Sequence, residues 1–96
     1  MAYQLKLHRD VEKQLRRIPQ KQRERVVQAM RSLREEPRPS GYLKLDDLLY
    51  RLRVGQYRII YSIFEDALIV FVCKAARRTE ATYRDLQKLI DRARPT

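Results

Sequence analysis

Tyr50-Arg51-Leu52-Arg53-Val54-Gly55-Gln56-Tyr57-Arg58-Ile59-Ile60-Tyr61 is the stretch on which the fold turns. Residues 50–54 alternate, as a half-buried strand does. Gly55-Gln56 fits a two-residue hairpin turn with glycine at the first central position. With those two residues as the loop, Val54 pairs with Tyr57, Arg53 with Arg58, Leu52 with Ile59 and Tyr50 with Tyr61. Cross-strand partners share a face. Tyr50, Leu52, Val54, Tyr57, Ile59 and Tyr61 therefore form a core face, and Arg51, Arg53 and Arg58 gather on the other.

Toward the C-terminus, Glu65-Asp66 reads as a second tight turn and Ala67 to Lys74 as a third strand. That register sets Phe64 opposite Ala67, Ile60 opposite Phe71 and Arg58 opposite Cys73. Cys73, Ala75 and, in extended chain, Arg77 then join the arginine face. Like charges at this spacing repel by ~1 kcal/mol or more per close pair. An anion is the expected occupant of such a cluster, although single bases on a strand ordinarily mean only a solvated face.

Toward the N-terminus, Tyr3 to His8 alternates as a short strand. Asp10 is placed to cap a helix with Val11, Leu15 and Ile18 on one stripe. Pro19 separates it from a second helix, Gln20 to Arg34, with Val26, Val27, Met30 and Leu33 inward. Glu35 to Gly41, with two prolines, a serine and a glycine, is loop chemistry. Glu80 to Ala93 carries Leu86, Leu89, Ile90 and Ala93 at helical spacing. The expected order is βααβββα. This is an α+β domain spanning residues 1–96, with a largely antiparallel or mixed sheet, a helical hairpin on one face and a short C-terminal helix.

Ninety-six residues hold one domain. The 22 bases, 16 of them arginine, against 12 acids leave a net charge of +10. Arginine forks match phosphate oxygens bidentately, so a polyanionic partner is expected. An acidic protein partner fits the same charge. The longest uncharged run, Ala67 to Cys73, is far short of the ~20 residues of a membrane span. No signal-peptide pattern opens the chain, so a cytoplasmic location is expected. One Cys and one His exclude an intrachain disulfide framework and argue against a zinc site. No metal or cofactor is expected. Asp46-Asp47 reads as a turn, His8 as structural and Cys73 as a small apolar strand residue.

The hairpin at residues 50–61 resembles that of the RelE/ParE superfamily of bacterial and archaeal toxins. The resemblance extends over essentially the whole chain. It implies the RelE-like microbial RNase fold and, in the RelE branch, a ribosome-dependent endoribonuclease that cuts mRNA in the ribosomal A site. ParE-type relatives share the fold and poison DNA gyrase instead. A non-catalytic nucleic-acid-binding module is a third reading. The RelE pattern places catalytic residues at Arg51, Arg53, Arg58, Arg77 and Tyr83, the last two six residues apart. RelE often has Lys where this chain has Arg51 and Arg53, which alters the geometry at those positions. Arg78 is an alternative to Arg77.

In metal-free RNA cleavage the 2′-hydroxyl attacks the adjacent phosphorus and the 5′-oxygen leaves. A base, cations around the phosphorane and a donor at the leaving oxygen are needed. With no His or carboxylate on the expected face, Tyr83 is the candidate base. Its spacing from Leu86 and Ile90 fits core packing equally. Arg23, Arg25, Arg31, Arg34, Lys44 and Arg78 are candidate RNA-binding bases. The resemblance also implies a RelB-like antitoxin, with the ribosome, its RNA and mRNA as further partners.

Overall fold

The computed structural model describes residues 2–77 and 86–93. Five strands form one sheet: β1 (Gln4–Leu7), β2 (Leu43–Lys44), β3 (Tyr50–Val54), β4 (Tyr57–Phe64) and β5 (Ile69–Arg77). Their order is β1-β5-β4-β3-β2, with β1 parallel to β5 and the remaining pairs antiparallel. Helices α1 (Arg9–Arg16) and α2 (Gln20–Ser32) follow β1, and α3 (Leu86–Ala93) closes the described chain. The expected α+β order holds, with the two-residue β2 added at one edge.

The β3–β4 hairpin has the register its sequence dictates, from Val54 opposite Tyr57 to Tyr50 opposite Tyr61. Gly55 takes φ 61°, a backbone conformation glycine reaches without Cβ strain. On the helix side, Val11, Ile18, Val26, Met30 and Leu33 pack against Ile59, Tyr61, Val70, Val72 and Ala75. These buried side chains contribute about 1.5–3 kcal/mol each for the larger ones, which is what holds the hairpin to the sheet.

Three expectations need correction. The second turn is four residues rather than two: Phe64 pairs with Ile69, and Leu68 takes φ 54° inside the loop. The register also shifts within the β4–β5 pair, since Tyr61 faces Val72 but Ile60 faces Lys74. Cys73 is thus the extra residue of a β-bulge. Beyond it the side-chain alternation of β5 is inverted. Arg58 lies opposite Ala76 rather than Cys73, and Ala75 joins the helix-side core. Finally, His8 rather than Asp10 caps α1: its Nδ1 accepts from the Asp10 N–H at 3.1 Å.

The face opposite the helical hairpin is not bare. Leu49, Ile60, Cys73 and Ala93 are buried in a second cluster, with Leu45, Leu48, Phe71 and Ile90 against it. Helix α3 therefore covers part of the face that carries the arginines. Arg92 ties it down, donating to Asp10 Oδ2 at 2.6 Å and to the Cys73 carbonyl at 3.2 Å. The loop before β2 is pinned as well. Tyr61 donates from its hydroxyl to the Pro37 carbonyl at 2.6 Å, and Arg38 meets Glu65 at 2.7 Å and stands over the Tyr50 ring.

Candidate active site on the arginine face

Arg51 and Arg53 project from β3, and Arg58 from the neighbouring central strand β4. Arg53 and Arg58 are direct cross-strand partners, and Arg51 lies opposite Ile60. Direct partners stand with Cβ atoms roughly 4.5–5.5 Å apart, so two guanidinium stems rise side by side. Arg58 is 3% exposed, Arg51 half-buried and Arg53 exposed. Burial on a central strand fixes the stem of Arg58, while Ala76 across β5 brings no bulk beside it. A cation held this way needs little rearrangement to meet a developing negative charge.

The remaining candidates divide. Arg77 ends β5 opposite Tyr57, on the helix side of the sheet, and donates to Gln56 Oε1 at 2.8 Å. The expected convergence of Arg77 with Arg51, Arg53 and Arg58 fails because of the bulge at Cys73. Arg78 and Tyr83 lie outside the described residues. Arg25 and Arg31 are exposed on α2. Arg23 is turned to the end of α1, where it donates to the Ile18 carbonyl at 3.0 and 3.2 Å and to the Arg16 carbonyl at 3.4 Å. Arg34 donates to the Tyr3 carbonyl at 3.2 Å and so joins the end of α2 to β1. Lys44 and Asp47 stand 3.8 Å apart, both exposed.

Burial pushes the Cys73 thiol up to about 12, so it is protonated and inert as a nucleophile at neutral pH. Desolvation, and then the Arg92 charge, hold His8 below the usual histidine range, so it stays neutral and keeps its capping nitrogen. Asp46 accepts from the Leu48 N–H at 3.3 Å within its turn. Among the described residues no cluster of three His, Cys, Asp or Glu side chains is placed to hold a metal ion. Sequence reading missed Arg92 altogether. Its partner Asp10 is 82 positions away, and no local pattern announces such a pair.

Residues 5–81 match the family described as ParE toxin of type II toxin–antitoxin system, parDE. Protein RelE1 of Methanocaldococcus jannaschii, a toxin by assignment, is 28% identical over 90 residues, 88% of this chain and 99% of that protein. The crystal structure of the archaeal RelE–RelB complex from Pyrococcus horikoshii superposes with a TM-score of 0.76 at 31% identity, over 83% of this chain and 99% of that one. A double mutant of the E. coli toxin RelE in the free state gives a TM-score of 0.77 at 23% identity, over 96% and 98% of the two chains. Both structures carry the same sheet and helix arrangement as this chain. The chain belongs to the ParE toxin family of type II toxin–antitoxin systems, within the RelE/ParE superfamily.

Proposed function

We propose that this toxin is a ribosome-dependent, metal-independent endoribonuclease that cuts mRNA in the A site and so stops translation. The carrying observation is the gathering of Arg51, Arg53 and Arg58 on one sheet face, with Arg58 buried in its strand. The similarity to RelE structures supports the same branch. Arg58 holds the non-bridging oxygens of the scissile phosphate, and Arg51 and Arg53 grip the phosphate from β3. Tyr83 takes the proton of the 2′-hydroxyl as its oxygen attacks phosphorus. The P–O5′ bond breaks, the 5′-oxygen leaves and is protonated, and a 2′,3′-cyclic phosphate remains. Guanidinium charge favours the phenolate that this base requires. With Arg77 on the helix side of the sheet, its alternative Arg78 stabilises the leaving oxygen by its charge. An arginine is a poor proton donor, with a pKa above ~12. Arg31 and Lys44 contact ribosomal RNA through its phosphates, in a salt-sensitive way.

Partners and location follow the same reading. A RelB-like antitoxin covers the basic surface in the cytoplasm; in support, the similar Pyrococcus horikoshii protein forms a RelE–RelB complex. Among the described residues no helix is long and apolar enough to cross a membrane.

The deciding experiment is primer extension on mRNA translated by purified ribosomes with the protein added. Cuts within the A-site codon, dependent on ribosomes, are expected, and equal cutting of naked mRNA would remove the ribosome from the reading. The match to the ParE family favours one second reading, a DNA gyrase inhibitor. Intact mRNA together with gyrase-linked DNA breaks would establish that activity instead.

A further inference from the structure

On the helix side of the sheet, a groove of about 820 Å³ runs between the start of α2 and the end of the β3–β4 hairpin. Arg17, Arg25 and Arg77 line it on that side, and among the described residues no Asp or Glu does. Among the described residues none of these three bases takes part in a salt bridge. Three cations around one groove with no acid among its described walls repel one another, and an anion relieves that repulsion.

A second observation is independent of the side-chain charges. Pro19 and Gln22, at the start of α2, also line the groove. Helix α2 is 13 residues long, its N-cap Pro19 supplies no side-chain acceptor, and its first turn holds no acid. By contrast, α1 is capped by His8 and carries Asp10 and Glu12 in its first turn. The orphan N–H groups and positive dipole end of α2 are thus left to an external anion, and a phosphate suits that position.

We propose that this groove is a second RNA-binding site, holding backbone phosphates of the strand that runs off the arginine face. The proposal rests on the reading of that face as the site of mRNA binding. Continuity supports it. Tyr57 in the groove wall and Arg58 on the arginine face are consecutive residues of β4, and Arg77 and Ala76 are their partners on β5. The two sites are back to back at one end of a single sheet. A strand rounding the Gly55-Gln56 turn meets both. The Tyr57 ring adds an aromatic wall on which a base can stack, a feature that single-stranded nucleic acid uses and an acidic peptide does not.

The test is fluorescence anisotropy of the full-length protein with a labelled 12-nucleotide, 2′-O-methylated RNA, which binds without being cut, in a series of salt concentrations. Each phosphate contact to a single strand contributes ~0.7 to the slope of log K against log salt. The double variant Arg17→Gln/Arg25→Gln is expected to lower that slope by ~1.4, a loss of about 25-fold in affinity at 0.1 M salt relative to 1 M. The control pair Lys6→Gln/Lys13→Gln removes two exposed bases outside the groove and is expected to stay within about twofold of wild type. Circular dichroism checks that each variant is folded. A groove pair that behaves like the control pair overturns the proposal. Arg51→Gln/Arg53→Gln reports on the arginine face separately: wild-type binding by that pair, with loss in the groove pair, overturns the reading of the arginine face and leaves the groove as an RNA site. Binding of a poly-glutamate peptide that the groove pair abolishes, with RNA binding unchanged, assigns the groove to an acidic protein segment and overturns the proposal.

Discussion

Replacing Arg92 by alanine removes two contacts of different kinds, and their sizes can be separated. The ion pair to Asp10 is short, at 2.6 Å, but its side chains are 27% and 37% exposed. Water and salt screen such a pair, which contributes roughly 0.5–1 kcal/mol. The second contact is to the carbonyl of the bulge residue Cys73 at 3.2 Å. A hydrogen bond from a charged donor contributes ~1.5–3 kcal/mol when buried, and about 1 kcal/mol is a fair figure at this exposure and length. Arg92→Ala should therefore cost about 2 kcal/mol by urea unfolding, or roughly 8–16 °C in Tm for a domain of this size. Asp10→Ala loses only the ion pair and a favourable charge in the first turn of α1, about 1 kcal/mol together. The double variant should show a coupling of about 0.5–1 kcal/mol. Should Arg92→Ala prove no more costly than Asp10→Ala, the bulge carbonyl contributes nothing, and the argument that α3 is fastened to the bulge is refuted.

Four further outcomes are expected. Arg58→Ala should lower single-turnover cleavage on programmed ribosomes by ~10²–10³, since one preorganised charge at the transition state is lost. A rate near wild type takes Arg58 out of the site. Arg78→Ala should cripple cleavage in that assay more than Arg77→Ala does, and a near-wild-type rate for Arg78→Ala would show that it does not act at the leaving oxygen. Tyr83→Phe should keep the melting temperature and lose most of the cleavage rate, whereas full activity would leave catalysis to the arginines and the ribosome. For His8, the folded-state pKa lies below its ordinary value, so the unfolded chain takes up the proton first as pH falls. Its contribution is present above about pH 6.5 and declines as pH falls below that value, and His8→Asn, which keeps a capping side chain, should flatten urea midpoints measured between pH 7 and 5.

The parts legible in the sequence were those written in local alternation. Gly55-Gln56 admits one hairpin register, and this alone places Arg51, Arg53 and Arg58 together. The stripes Val11 to Ile18 and Val26 to Leu33 marked the helical hairpin for the same reason. The far side of the sheet was harder. Leu68 takes a left-handed conformation that a leucine does not advertise, so the four-residue loop looked like a two-residue turn. The bulge at Cys73 depends on the carbonyl bond from Arg92 and on packing beneath α3, both long-range. Arg77 was misplaced in consequence. The cap of α1 was misread because Asp10 is the commoner capping type, while its charge is engaged by Arg92.

The extra residue in β5 also acts as a counter. Before Cys73 the odd positions Phe71 and Cys73 lie over the second core, and after it the odd positions Ala75 and Arg77 belong to the helix side. Which side of the sheet an arginine in this region serves is thus decided by strand length, one residue at a time, and not by its chemical type. Chains of this fold that differ by a single insertion or deletion between Phe71 and Arg77 exchange the sides of every residue that follows. An alignment that matches arginine to arginine across such a gap equates residues from opposite sides of the sheet, and counting from Phe71 restores the correspondence.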